Sequence, residues 1–121
     1  MCGIAGIVGL GAGAISASRE ALVRMASALY HRGPDEFGLY RDRRAGLAHT
    51  RLSIIDLSTG QQPLSNEDES LWIVFNGEIF NSRELGAQLP AKGHRFRSES
   101  DSEVLLRACL EWGVDAGTHL V

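Results

Sequence analysis

Cysteine in second place gives this chain an unusual chemical option, because loss of Met1 would leave a thiol and a free α-amine on one residue. A free amine and a thiol titrate within about one unit of each other. The amine of Cys2 can therefore take the proton of its own sulfur and return it later to a leaving group, a known route to an activated nucleophile. The competing reading is a small residue buried in an apolar segment, the usual fate of an unpaired cysteine.

Three further places hold polar groups where the surrounding pattern is apolar. Arg51 interrupts the run from His49 to Leu57; an arginine there must find an anion. Either Asp35 or Asp56 supplies one structurally, or the guanidinium fork takes a ligand carboxylate in bidentate fashion. Asn76-Gly77-Glu78 closes the apolar run Leu71–Phe75. A carboxamide and an unhindered backbone N–H at a strand end suit an oxyanion hole, and Asn-Gly equally signals a plain turn. Asp101 stands in the first turn of a helix, where it can complement the helix dipole or hold a ligand ammonium.

The elements that must position these groups follow from periodicity. Residues 2–9 are apolar or small on both parities, as in a strand covered on both faces, and 71–75 read the same way. Ser18 caps a helix to about Tyr30, with Leu22, Met25, Ala26 and Leu29 on one face. That helix ends in His31-Arg32-Gly33-Pro34-Asp35, where Gly33 can take positive φ and Pro34 forbids continuation; Arg32 or Asp35 would hold the loop's shape. Residues 37–40 and 47–57 read as strands joined through an Arg-Asp-Arg-Arg turn. Asn81 with Glu84 forms a capping-box pattern for a short helix stopped by Pro90 and Gly93. Residues 94–98 read as a short strand. Ser100 and Glu103 open a last helix whose stripe is Val104, Leu105, Ala108, Cys109 and Trp112.

Bulk properties narrow the function classes. A chain of 121 residues holds one domain at most. Its 44% hydrophobic and 22% charged content is that of a globular protein, and no apolar run approaches bilayer length. A net charge of −3 offers no basic field for nucleic acid. Two cysteines without a secretion signal argue for thiols, and the four scattered histidines for no metal site. A cytoplasmic location is the default. Gly9-Leu10-Gly11-Ala12-Gly13-Ala14 can be fitted to a dinucleotide fingerprint, but no helix opens directly out of those glycines and a charged hairpin follows the helix.

The motifs gain specificity from their order. Met-Cys-Gly-Ile-Ala-Gly at 1–6, His-Arg-Gly-Pro-Asp at 31–35, Arg-Leu-Ser-Ile-Ile-Asp at 51–56, Gln-Gln-Pro at 61–63, Phe-Asn-Gly-Glu-Ile-Phe-Asn at 75–81 and Ser-Asp-Ser-Glu at 100–103 succeed one another across nearly the whole chain. The set strongly resembles the glutaminase domain of class II glutamine amidotransferases, most closely that of glutamine-hydrolysing asparagine synthetases. The resemblance implies an α+β fold, a four-layer αββα sandwich of the N-terminal-nucleophile hydrolase type. It assigns glutamine hydrolysis through a Cys2 thioester, with the Asn76 side chain and Gly77 N–H holding the oxyanion. Arg51 would clamp the substrate carboxylate, Asp101 and Glu78 its ammonium, and Leu52, Ser53, Ile54 and Ile55 would shape the pocket floor. No cofactor is implied for this step; ATP and magnesium belong to a synthetase domain.

One departure accompanies the resemblance. The family's sheet runs on through further strands into an ATP-dependent synthetase domain, whereas this sequence stops at Val121. The expectation is thus a truncated glutaminase domain over 1–121, C-terminally incomplete, with glutamine and the parent protein's synthetase domain as partners and no nucleic acid or membrane. An exposed sheet edge would favour pairing between copies, a homodimer among them. The alternative expectation is a non-catalytic remnant serving only as an interaction module.

Overall fold

The structure is a computed structural model that describes residues 2–13, 17–52 and 60–121. Its residues are arranged as an α+β protein in two compact units. Unit 1 comprises Met1–Pro63 with Val74–Asn76, and unit 2 comprises Leu64–Ile73 with Gly77–Val121.

Among the described residues, unit 1 is an antiparallel sheet under one helix. Strands β1 (Gly3–Val8), β2 (Glu36–Arg41) and β3 (Ala45–Arg51) lie in the order β1-β3-β2. The register sets Gly3 opposite Thr50 and Glu36 opposite Arg51. This antiparallel order is incompatible with the dinucleotide-binding reading, which needs a parallel βαβ crossover. Helix α1 (Arg19–Ala28) is capped by the Ser18 hydroxyl, which accepts from Ala21 N–H. Its buried Leu22 and Ala26 pack with Ala17 on Ala48, flanked by Ala5, Ile7 and Leu39. Gly46 makes the close approach possible: a Cβ there would lie 2.6 Å from the Ala17 methyl carbon. Between β2 and β3, Asp42 accepts from the amides of Arg44 and Ala45 and from the Tyr40 hydroxyl. Those hydrogen bonds hold its carboxyl below the usual range.

The opposite face of this sheet departs from expectation. Ile4 is 44% and Val8 64% exposed, so among the described residues β1 is well covered on one side only. The cover on the second side is local. Gly38 lets the Gln62 backbone lie against β2, and His49, which is paired with both Gly38 and Ile4, is thereby buried.

Unit 2 contains a two-stranded ribbon, β4 (Leu64–Ser65) with β5 (Trp72–Ile73), and helices α2 (Ser82–Gln88) and α3 (Asp101–Trp112). Helix α2 packs on α3, and Ile79, Leu85, Leu89, Val104, Leu106, Ala108 and Ala116 are buried. The apolar run 71–75 yields only the two paired residues of β5, all five positions being half-buried. The capping box at Asn81 does not form. Its Nδ2 donates to the His119 carbonyl, and its Oδ1 accepts from Val121 N–H.

Residues 94–98 are not a strand. The amides of Arg97 and Ser98 donate instead to the Glu103 carboxylate at 2.8 Å each. Arg107 adds a bond to Glu103 at 2.9 Å and an ion pair to Glu67 at 2.7 Å. Burial pushes the Glu103 carboxyl up, but these donors outweigh it and its pKa lies below the ordinary value. No helix among the described residues is long and apolar enough to cross a membrane.

Candidate functional site

The groups singled out in the sequence fall in both units, and each set has its own geometry. In unit 1, Cys2 immediately precedes β1 and is half-buried. The register that pairs Gly3 with Thr50 brings Cys2 and Arg51 to the same end of the β1–β3 pair.

The His31–Asp35 turn secures that end. Arg32 Nε–H donates to the Cys2 carbonyl at 3.1 Å, and Asp35 N–H donates to the Arg51 carbonyl at 3.0 Å. Pro34 bridges to Arg51. Gly33 lacks the positive φ anticipated for it; its absent side chain serves close packing, since a Cβ would lie 2.6 Å from the Arg51 backbone.

Arg51 finds its anion in Glu36, Nη1 to Oε2 at 3.2 Å. Of the two anions the sequence offers it, Asp35 meets Arg51 through the backbone hydrogen bond given above, and Asp56 lies outside the described residues, as do Ser53, Ile54 and Ile55. Leu52 is at the margin of exposure. Glu36 was missed because an exposed-looking acid at a strand start carries no signal until the register sets it opposite Arg51. A cavity of about 420 Å³ opens here, lined by Asp35, Glu36, Gly38, His49, Arg51 and Gln62 among others. Burial, then the charge of Arg51, lowers the His49 pKa against a hydrogen bond to the Phe75 backbone that raises it. Its Nε2 has no partner among the described residues.

Asn76 is exposed, at the end of the Val74–Asn76 segment that belongs to unit 1. The amide of Phe75 just before it donates to the Gln62 side chain.

In unit 2, Gly77 and Glu78 are exposed and the next residue, Ile79, is buried. The Asp101 carboxylate, on the first residue of α3, accepts from Ile79 N–H at 2.8 Å. Glu78, Ile79, Phe80, Arg83, Ser98 and Asp101 are among the residues lining a cavity of about 1050 Å³. The structure thus brings Cys2 together with Arg51 in one unit, and Glu78 with Asp101 in the other.

Residues 1–121, the entire chain, match the family model described as "Glutamine amidotransferase domain". The chain belongs to this family. As a glutamine amidotransferase domain it is 45% identical over 121 residues to asparagine synthetase [glutamine-hydrolyzing] 1 of Bacillus subtilis (strain 168), an overlap of 99% of this chain and 19% of that protein. It is 44% identical over 115 residues to asparagine synthetase [glutamine-hydrolyzing] 1 of Arabidopsis thaliana, covering 95% of this chain and 19% of that protein. A relative from Oryza sativa subsp. japonica, asparagine synthetase [glutamine-hydrolyzing] 2, is 42% identical over 113 residues, 93% of this chain and 19% of that protein. The amidotransferase domain described here therefore spans 19% of the length of each of these three relatives.

Proposed function

We propose that this domain hydrolyses the side-chain amide of glutamine and supplies the ammonia for asparagine synthesis by a synthetase domain of its parent protein. The carrying observation is the treatment of Cys2, which leads β1 beside the Arg51 end of β3 with its carbonyl held by Arg32. A residue meant only to fill a core needs no such tether.

The chemistry follows from the groups present. With Met1 removed, the α-amine of Cys2 accepts the thiol proton and the sulfur attacks the amide carbon, forming a C–S bond. Negative charge passes to the amide oxygen, where the Asn76 carboxamide and the Gly77 N–H stabilise it. Collapse breaks the C–N bond, and the Cys2 ammonium protonates the leaving nitrogen, which departs as ammonia. Water then cleaves the thioester, giving glutamate and the free thiol.

Substrate positioning divides by charge. A guanidinium carries five N–H donors in a planar fork and can serve two carboxylates at once, so Arg51 is assigned the substrate carboxylate alongside its pair with Glu36. The cavity bearing Glu78 and Asp101 suits the α-ammonium, and Leu52 with Ser53, Ile54 and Ile55 forms the pocket floor in this reading. The four-layer αββα sandwich and the assignment of 1–121 as the glutaminase half of a longer enzyme belong to the same proposal. So does a cytoplasmic location. The glutaminase step as written uses no cofactor, and ATP with magnesium is assigned to the synthetase half.

The test is release of glutamate and ammonia from glutamine by the purified chain, with its intact mass showing Met1 removed. Turnover that survives Cys2→Ala would end the thioester mechanism. No turnover from Met1-free protein shown to be folded would favour the non-catalytic reading.

A further inference from the structure

The carboxylate of Asp101 does something that neither helix capping nor substrate charge requires. Helix α3 is already capped, because the Ser100 hydroxyl accepts from Glu103 N–H. Asp101 instead turns Oδ2 to a backbone amide far away in sequence, that of Ile79, at 2.8 Å. Ile79 is buried while Gly77 and Glu78 before it are exposed. The exposed pair thus hangs from a buried anchor whose amide is fixed by one carboxylate oxygen.

The anchor is itself held from behind. Glu103 takes the amides of Arg97 and Ser98, and the Ser98 hydroxyl, all at 2.8–2.9 Å. Buried Arg107 in turn holds Glu103. The chain entering α3 therefore has little freedom, and Asp101 moves only if this network moves. Its other oxygen, Oδ1, makes no hydrogen bond among the described residues, and Asp101 lines the cavity that also contains Glu78.

We infer that Asp101 is a positioning residue for the Gly77–Glu78 backbone, with Oδ2 as anchor and Oδ1 left for a ligand ammonium. The inference rests on the glutaminase reading for its kinetic consequence and on the Ile79 bond for its structural one. The two jobs separate chemically. Asparagine at 101 keeps a carbonyl oxygen for the Ile79 amide but lacks the charge, and alanine lacks both.

The full chain is compared with Asp101→Asn and Asp101→Ala, using amide exchange at Ile79, the Gly77 amide shift and glutamine turnover. Asp101→Ala should lose Ile79 protection about ten- to a hundredfold, as for a hydrogen bond to a charged acceptor, and should move the Gly77 resonance. Asp101→Asn, whose neutral carbonyl is the weaker acceptor, should lose only a few-fold of that protection and keep the Gly77 resonance near the parent value. In turnover, Asp101→Asn should raise KM with kcat largely kept, whereas Asp101→Ala should lower kcat by about 10²-fold, as for a displaced oxyanion donor. Unchanged Ile79 exchange in Asp101→Ala, or equal kcat in the two variants, overturns the positioning role while leaving the glutaminase reading intact. If the folded, Met1-free parent chain shows no turnover, the glutaminase reading fails. The anchor is then judged by exchange and by the Gly77 shift, which must respond to alanine and not to asparagine.

Discussion

Arg32 Nε–H donates to the backbone carbonyl of Cys2 at 3.1 Å, joining the His31–Asp35 turn to the residue proposed as nucleophile. Because the contact is to backbone, it fixes where the sulfur and the α-amine sit without touching either. Arg32→Ala should therefore lower kcat by about 10–100-fold, the usual effect of an ångström-scale misplacement. The stability cost should be about 1 kcal/mol, one hydrogen bond. Glutamate release and the alkylation rate of the Cys2 thiol measure the first effect, and urea unfolding the second. Wild-type kcat in the variant would show that the tether is idle.

Gly33 and Gly13 make a matched pair for testing close packing. A Cβ at 33 would lie 2.6 Å from the Arg51 backbone, whereas one at 13 meets nothing within 4 Å among the described residues. Gly33→Ala must push the turn off β3 and should cost about 1–3 kcal/mol. Gly13→Ala should be near neutral or slightly stabilising, through the unfolded chain. Urea midpoints of the two variants decide it. Equal midpoints would mean that the turn has slack the structure does not show.

The sequence showed elements best where the signal was local. The hydroxyl caps at Ser18 and Ser100 are where the residue types place them. The stripe of the last helix was misjudged by rotation. Leu106 and Arg107 are fully inside while Leu105 and Cys109 are half-buried, and burial pushes the Cys109 thiol up. The cause is Glu103–Arg107, an i,i+4 ion pair turned inward to reach Glu67 and the 97–98 amides; charged residues at helical spacing normally face water. The same pair consumed the amides that a strand at 94–98 would have needed. Motif identity was legible where pattern was weak: Arg51's partner Glu36 depends on register, which no single segment contains.

The Glu103–Arg107–Glu67 cluster predicts acid sensitivity in unit 2. The bond from Arg107 holds the Glu67 carboxyl down from 4.5 to about 2, and Glu103 is lowered as well. Groups with a depressed folded pKa stabilise fully above their unfolded value and lose that contribution as pH falls toward the folded one. Unit 2 should thus weaken progressively from about pH 4.5 down toward 2. Both tryptophans of the chain, Trp72 and Trp112, lie in unit 2, so their fluorescence follows it. Arg107→Met would leave Glu103 buried without its cation and should cost about 3–5 kcal/mol at neutral pH. A loss under about 1 kcal/mol would mean that the amides of Arg97 and Ser98 satisfy Glu103 unaided.

His49 predicts a second, milder pH dependence, in unit 1. Burial and the Arg51 charge depress its folded pKa below 6.5. For a base the sign is that of proton uptake by the unfolded chain. Below about 6.5 the unfolded state binds a proton that the folded state refuses, so stability is complete above that pH and declines beneath it. His49→Gln keeps a polar side chain of similar length and removes the titration. Urea unfolding followed through the methyl signals of Leu22 and Ala48, both in the unit 1 core, should fall with acidity in the parent and stay flatter in the variant. Parallel declines in the two proteins would show that His49 does not carry the pH dependence of unit 1.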